Sequence, residues 1–156
     1  MEGAEFQRIA EKYIDIVYRT TLSYCNSKSD AEDAVQNAFY KLLKSDVVFE
    51  NDEHIRRWLV KVAINECKMI WRSFWRKNII SFEDLNNEPD YVEMKNKEIF
   101  YEIMKLPPKY RTVLHLYYYE GYHCDEISEI LKITITSVQT RLMRARNMLK
   151  EKLKEE

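Results

Sequence analysis

Polar side chains near the end of the chain are spaced to read DNA bases. Thr136, Thr140 and Arg144 recur every four residues, which places them on one face of a helix, and Gln139 and Arg141 flank that face. Arginine can donate two hydrogen bonds to guanine, glutamine can pair with adenine, and threonine can donate or accept. Contacts to phosphates would fix the register of this helix on the duplex. These residues therefore indicate recognition of a DNA major groove.

Two short helices must hold this face at the right angle. The spacing of apolar residues predicts one helix over about 125–131 and a second over about 135–153, separated by a brief turn. Thr134 is the expected N-cap of the second helix. This pattern is a helix-turn-helix, whose second helix enters the major groove. Lys132 stands at a turn position where glycine is often found, and left-handed geometry there would cost a lysine about 1–2 kcal/mol.

A second basic block, residues 54–78, is typical of a surface for single-stranded nucleic acid. It carries seven Lys or Arg residues against one acidic residue. In a helix over 54–77, steps of 100° bring basic and aromatic side chains into one sector opposite the apolar side. Charge can follow the sugar–phosphate backbone while rings stack on bases. The alternative is a solvated helix face with the tryptophans folded onto the core, which is where we expect Trp58.

Composition limits the classes of fold and function. Gly3 and Gly121 are the only glycines in 156 residues, which excludes a glycine-rich nucleotide loop and disfavours a many-stranded β fold with tight hairpin turns. Hydrophobic residues make up 46% of the chain, enough for a core. No apolar stretch reaches 18 residues, and no basic-then-apolar signal opens the chain. We therefore expect no membrane insertion.

Cysteines and histidines offer no pattern for chemistry at a metal. The three cysteines are odd in number and far apart, which predicts free, packed thiols in a reducing cytoplasm; they are Cys25, Cys67 and Cys124. The three histidines lack the spacing of metal ligands, and no carboxylate cluster lies among small residues. We expect no metal, no cofactor and no enzymatic activity.

The periodicity as a whole predicts an all-α protein with two helical domains joined by a polar acidic linker. The first domain is residues 1–80, the linker is residues 81–97, and the second domain, with the helix-turn-helix, is residues 98–156. The net charge of −1 conceals this division, because acidic stretches offset the two basic blocks.

Several helix ends are marked in the sequence. Ser29 and Glu32 have the spacing of a capping box at the start of the second helix. Pro107 disfavours helical geometry at its predecessor, while Pro108 suits the first turn of the next helix. That helix is expected to reach about residue 119, with Gly121 as its C′ residue.

Four motifs, in order along nearly the whole chain, resemble bacterial sigma factors of the extracytoplasmic-function (ECF) group. Residues 29–39 (SDAEDAVQNAF) are similar to the family's second conserved region, and residues 58–65 (WLVKVAIN) resemble its promoter-melting segment. Residues 106–111 (LPPKYR) and 137–146 (SVQTRLMRAR) resemble its fourth region. The resemblance implies a dissociable RNA polymerase subunit that gives the core enzyme promoter specificity and opens the DNA.

The resemblance also implies roles for individual residues. The protein would bind the clamp coiled coil and the flap of core polymerase. The residues that would dock on the clamp are Asp30, Asp33, Gln36 and Asn37. The −10 element would be read as a single strand with a base flipped out, by Phe49, Lys61, Asn65, Lys68, Arg72, Trp75 and Arg76. The −35 duplex would be read by Thr136, Gln139, Thr140, Arg141 and Arg144.

Partners, departures and a rival function complete the expectations. The linker resembles the family's connector through the RNA exit path, and an anti-sigma factor is expected to control the protein in the bacterial cytoplasm. The family usually has a small polar cap at His123, Ala at Ser128, and Gly at Lys132 and Thr136, so base preference is not carried over. The rival is a stand-alone helix-turn-helix transcriptional regulator with residues 1–80 as a sensor or dimerisation module, which leaves the basic block 54–78 unexplained.

Overall fold

The computed structural model describes residues 1–25, 27–73 and 97–154, and their side chains except those of residues 71–73 and 97. These ranges are helical with short connections and contain no strand, which confirms the all-α prediction. Contacts divide the chain into a first unit, Met1–Glu93, and a second unit, Met94–Glu156. The predicted linker lies outside the described residues except for its last position. Within the described ranges, no helix is long and apolar enough to cross a membrane.

In the described part of the first unit, three helices pack against one another. They are α1 (Gly3–Tyr24), α2 (Lys28–Lys44) and α3 (Asp52–Ser73). Small side chains on α2, Ala31, Ala34 and Ala38, are completely buried, and they let the other helices approach closely. Phe39 is buried on the same face and meets the Phe6 ring edge-on at 6.3 Å.

The cap of α2 differs from the prediction by two residues. Ser27, in extended geometry, accepts a hydrogen bond from the Asp30 backbone N–H at 3.0 Å, and the helix begins at Lys28. Ser29 was predicted as the N-cap, and that assignment is wrong because Ser29 already lies inside the first turn. Ser27 and Ser29 both stand three residues before an acidic residue, so the capping signal occurs twice in overlapping registers.

The cysteine prediction is wrong for two of the three residues. Cys25 and Cys67 form a disulfide, with Cα atoms 6.0 Å apart, although 42 positions separate them in sequence. Cys25 follows the last residue of α1 and Cys67 lies on α3, and the packing of these two helices brings the sulfurs together. Cys124 has no disulfide partner, as predicted.

Residues 97–154 of the second unit form four α-helices and one π-helical turn. In order they are α4 (Lys97–Met104), α5 (Pro108–Leu114), the π-helical turn (His115–Tyr119), α6 (Cys124–Leu131) and α7 (Ile135–Lys154). Pro108 begins α5, and Gly121 adopts φ +80 two residues after the π-helical turn, so both predicted signals are confirmed. The helix was predicted to stay α-helical up to about residue 119, but its last turn is π-helical and therefore wider.

A buried polar pair accompanies the π-helical turn. The His115 Nε2 atom lies 2.7 Å from the Glu120 carboxylate, and both side chains are almost fully buried. Tyr119 stacks on the His115 ring at 5.0 Å, and Phe100 from α4 meets that ring edge-on at 5.4 Å. The pair therefore lies among aromatic rings in the core of the second unit, with the imidazole and the carboxylate in direct contact.

Candidate nucleic-acid interface

The turn of the helix-turn-helix has the strained geometry that the sequence predicts. Lys132 ends α6 with φ 58 and ψ 46, and it is the one non-glycine residue with positive φ in the described ranges. The Ser128 hydroxyl donates to the carbonyl of Ile133, and the Ile133 N–H donates back to the Ser128 carbonyl at 3.2 Å. These two hydrogen bonds hold the left-handed turn in place.

The recognition helix α7 is capped and oriented as predicted. The Thr134 hydroxyl accepts a hydrogen bond from the Ser137 N–H at 3.0 Å. Val138, Leu142 and Ala145 are buried along one side of α7, and they turn the opposite side towards solvent. Among the predicted −35 residues, Thr136, Gln139 and Arg144 are exposed, while Thr140 and Arg141 are half-buried.

Tyr110 of α5 is a neighbour of Arg144 that the sequence reading missed. A hydrogen bond from the Arg144 guanidinium lowers the pKa of the Tyr110 phenol, and the nearby Lys109 charge acts in the same direction. The tyrosine thus restricts the arginine, which lowers the entropic cost of any contact that the guanidinium makes in this position. Helical spacing could not predict this contact, because the two residues lie on different helices and are 34 positions apart in sequence.

Another arginine on α7 faces two tyrosines. The Arg146 guanidinium lies 5.6 Å from the Tyr117 ring centre and 5.2 Å from that of Tyr118, and its Nε donates to the Tyr118 hydroxyl. The two rings meet edge-on at 4.9 Å. Arg146 is therefore held against the π-helical turn.

The side of α3 predicted to bind single-stranded DNA, here called the basic stripe, is less exposed than predicted. Lys61, Asn65 and Lys68 are each half-buried. The Lys68 ammonium lies 5.9 Å from the centre of the Tyr24 ring at the end of α1, so an aromatic ring from a neighbouring helix borders the stripe. The backbone of Arg72 continues α3, but its side chain, like all of Trp75 and Arg76, lies outside the described residues.

Phe49, in the connection between α2 and α3, stands beside the stripe. Its half-buried ring meets His54 edge-on at 5.1 Å and Trp58 at 5.6 Å. The His54 Nδ1 atom accepts from the Glu50 N–H at 3.1 Å, and Asn51 accepts from the His54 N–H at 2.9 Å, which fixes the connection on the first turn of α3. Trp58 is half-buried rather than in the core, because its ring packs against this connection.

A cavity of about 300 Å³ opens beside this connection. Its lining includes Val47, Phe49 and Asn51 from the connection, Arg8 from α1, and Asp52 from α3. The size falls at the small end of ligand pockets. Apolar, cationic and carboxylate groups all line its surface.

Asp52 joins α1 to α3 at the rim of this cavity. Its carboxylate accepts from Arg8 at 3.0 and 3.2 Å and from Lys12 at 2.8 Å. These hydrogen bonds from Arg8 and then Lys12 lower the pKa of Asp52 to about 2. The side chains are substantially exposed, so solvent screens the pair. The geometry nonetheless fixes the cavity wall.

The predicted polymerase-docking residues lie along α2. Asp33, Gln36 and Asn37 are exposed, and Asp30 is half-buried beside the Ser27 cap. The sequence reading missed their neighbour Glu66 on α3, which is only 6% exposed. Glu66 forms an ion pair with Lys41, and the Asn37 amide lies 3.5 Å from its other oxygen.

A sequence signal for Glu66 did exist. It is the single acidic residue of the basic block, and it follows Ala63 by three positions and precedes Ile70 by four, which puts it in the apolar row of α3. A buried carboxylate needs a partner, and Lys41 supplies one.

The structure thus brings the predicted residues together in two sets within separate units. The −35 candidates share α7 in the second unit, while the polymerase candidates and Phe49, Lys61, Asn65 and Lys68 belong to the first. In the described part of the chain, no three His, Cys, Asp or Glu side chains gather as a metal site requires.

Comparisons with known proteins match this arrangement. Residues 9–77 match the family Sigma-70 region 2, and residues 96–149 match Sigma-70, region 4. The RNA polymerase sigma factor SigV of Bacillus subtilis (strain 168) is 28% identical over 144 residues, covering 89% of this chain and 85% of that protein. The ECF RNA polymerase sigma factor SigM of the same organism is 30% identical over 152 residues, covering 91% of each.

A solved structure shares the fold. The sigma factor RpoE of Bartonella quintana, crystallised with the anti-sigma factor NepR, has a TM-score of 0.75 to this chain at 19% sequence identity. The likeness covers 96% of this chain and 97% of that one. Taken with the two matched regions and the 30% identity to SigM, the order of the helices and the helix-turn-helix leads to one conclusion: this chain belongs to the family of ECF sigma factors.

Proposed function

We propose that this chain binds core RNA polymerase and directs transcription initiation at promoters that it selects through its two units. The observation that carries the proposal is the presence, in one chain and in this order, of Sigma-70 region 2 and Sigma-70 region 4. A stand-alone regulator needs only the helix-turn-helix and has no use for region 2.

In the second unit, α7 reads the −35 duplex from the major groove. Thr136, Gln139 and Arg144 are exposed along the side opposite the buried row and reach base edges, while Thr140 and Arg141 contact the backbone or its nearest bases. The hydrogen bond from Arg144 to Tyr110 sets the arginine in advance. Lys132 keeps α6 and α7 at the angle that the groove needs.

In the first unit, the −10 element is captured as a single strand. A base can be read on its pairing edge only after it leaves the stack, and the cavity beside Phe49 supports the capture of one such base. Lys61, Asn65 and Lys68 on α3 follow the strand, and Arg72, Trp75 and Arg76 are proposed to continue the same track.

The exposed side of α2 docks on core polymerase. Asp33, Gln36 and Asn37 present polar groups without a covering helix, and Asp30 extends this side towards the helix start. The domains are therefore assigned as residues 1–80 for core and −10 binding, 81–97 as linker, and 98–156 for −35 binding.

Further partners and setting follow from the same assignment. The RpoE structure contains the anti-sigma factor NepR, which supports an anti-sigma factor as a partner of this chain as well. Its polymerase partner places the protein in the bacterial cytoplasm. The chain contributes binding rather than a chemical step, and bond formation belongs to the polymerase.

The deciding experiment maps transcript starts on linear genomic DNA with core polymerase plus this protein. We expect discrete start sites that share two sequence elements at a constant spacing. Core polymerase alone, and core with a variant that loses two of the proposed −35 residues (Arg141→Ala with Arg144→Ala), are the controls. Tight duplex binding without core binding would favour the rival regulator.

A further inference from the structure

The Cys25–Cys67 disulfide is a chemical group that promoter recognition does not require. We propose that these cysteines form a reversible thiol–disulfide site, oxidised by low-molecular-weight disulfides, which locks the DNA-facing turn of α3 to the end of α1. The consequence for transcription rests on the proposed function, whereas the thiol chemistry does not.

The first support is where the sulfurs lie. Cys67 has Asn65 and Lys68, two proposed −10 residues, on the same helical turn, and Cys25 directly follows Tyr24. Tyr24 and Lys68 also meet through a cation–π contact. The covalent bond and the DNA-facing contact therefore lie side by side, so loss of the bond frees the turn that carries Asn65 and Lys68.

A second contact passes the effect to α2. Glu66, immediately before Cys67, holds Lys41 and lies 3.5 Å from Asn37. The same turn of α3 thus carries both Cys67, which forms the disulfide, and Glu66, which contacts the proposed polymerase-binding side of α2. A shift of this turn after reduction alters both surfaces.

A third support is the chemical setting. Disulfides are rare in the cytoplasm, and those found there are usually transient or redox-sensing. Cys25 is 6% exposed and Cys67 is 3% exposed, so exchange needs a local opening. Cys25 lies at the C-terminal end of α1, where helices open most readily, and a small oxidant reaches it there more easily than a protein does.

The low-molecular-weight disulfide is the only reagent that the oxidation of the two cysteines needs. One cysteine thiolate attacks a low-molecular-weight disulfide, forms a mixed disulfide and releases one small thiolate. The second cysteine thiolate attacks the protein sulfur of that mixed disulfide and releases the second small thiolate. The two protein thiols lose two electrons in total, the small disulfide gains them, and the two protons pass through solvent to the two released thiolates.

The test equilibrates the full-length chain over a range of reduced-to-oxidised glutathione ratios and counts thiols by alkylation and mass. Cys67→Ala removes the site, and Cys124→Ala is the matched control with the pair intact. We expect the pair to be lost and regained together in wild type and Cys124→Ala. Oxidation should raise the melting temperature of the first unit by about 10 °C or more, and it should slow amide exchange over residues 21–25 and 65–68.

Transcription from a linear promoter template is then compared for the oxidised and reduced chain. A several-fold higher yield of the oxidised wild type, absent in Cys67→Ala, supports the proposal. Cysteines that never pair at any ratio, or equal amide exchange at 65–68 in both states, overturn it. If neither form supports transcription while the thiols still pair and exchange still slows, the sigma-factor role fails and the thiol–disulfide site stands.

Discussion

Arg144, a proposed −35 residue, is also part of the packing of the second unit. It is exposed on the recognition side of α7, and its guanidinium donates to Tyr110 on α5. Arg146, two residues further on, is also an exposed cation, but it lies against Tyr117 and Tyr118. Two arginines of equal charge on one helix therefore have different roles, and the difference can be measured.

We predict that Arg144→Ala weakens binding of the holoenzyme to a −35 duplex by about 1–3 kcal/mol, the range for a base-specific arginine. Arg146→Ala also removes one positive charge, but from a position outside the proposed recognition side. Its loss of binding free energy should be less than half of that for Arg144→Ala. Tyr110→Phe removes only the hydroxyl that positions Arg144, so its affinity for the duplex should be between those of wild type and Arg144→Ala. Fluorescence anisotropy with a labelled duplex measures all three. Equal losses for both arginines would mean that only net charge matters.

Asp52 gives a prediction that depends on pH. Its folded pKa of about 2 lies below the ordinary value of 3.8, so its ion pairs stabilise the fold above about pH 4 and are lost as the pH falls from 4 towards 2. Asp52→Asn should lower the melting temperature at pH 6, and the gap to wild type should narrow at pH 3. Asp46→Asn, on the same cavity wall, is the control. A gap that stays constant with pH would show that the charge of Asp52 does not stabilise the fold.

At this scale the sequence predicted the side of a helix on which a residue lies better than how exposed the residue is, since Thr140 and the basic stripe on α3 are half-buried. The −35 candidates Thr136, Gln139 and Arg144 are exposed as the helical spacing required, because periodicity fixes which side of a helix a residue is on. Cys25 with Cys67 and Glu66 with Lys41 are partnerships between different helices. Periodicity within one helix contains no information on which neighbour it meets.

The turn between α6 and α7 tests how much the strained backbone costs. Lys132→Gly should raise the free energy of unfolding of the second unit by about 1 kcal/mol, because glycine adopts φ 58 without a steric penalty. Lys150→Gly, which removes a lysine from the helical part of α7, should lower it by about 1 kcal/mol. Urea titration followed by circular dichroism measures both changes. Destabilisation by Lys132→Gly would mean that the lysine side chain itself holds the turn.

Elements were predicted more reliably than their ends. Apolar spacing predicted α6 and α7 of the helix-turn-helix, and Pro108, Gly121 and Thr134 were correctly placed as end signals. The start of α2 was wrong because Ser27 and Ser29 satisfy the same capping pattern, and only the path of the chain entering the helix decides between them. The π-helical turn had no sequence signal, since its hydrogen-bond register differs by a single residue from that of an α-helix.

For the molecule as a whole, we predict a division of labour between the two units. Asn65→Ala should reduce promoter opening, read by permanganate reactivity of unpaired thymines near −10, and leave −35 protection unchanged. Arg144→Ala should reduce −35 protection at low protein concentration, and opening should recover when the concentration is raised. Both variants are compared with wild type at equal core occupancy. A loss of both steps in both variants would contradict separate recognition by the two units.

Charge distribution explains why the whole-molecule average misleads. The net charge of −1 gives no hint of DNA binding, yet residues 54–78 carry seven basic residues against one acidic residue. Phosphates respond to the local field within about 10 Å rather than to the total charge. Local patterning therefore points to nucleic-acid surfaces that the composition of the whole chain would have argued against.

The π-helical turn His115–Tyr119 amounts to one extra residue within an otherwise α-helical path. Each residue of an α-helix turns the chain by about 100°, so this insertion sets the direction in which the backbone leaves towards Gly121 and α6. Deleting one residue there would restore regular winding and rotate the chain that follows within the second unit, including the side of α7 that is proposed to face DNA. The length of this tyrosine-rich run is thus a determinant of how α7 is oriented relative to α5.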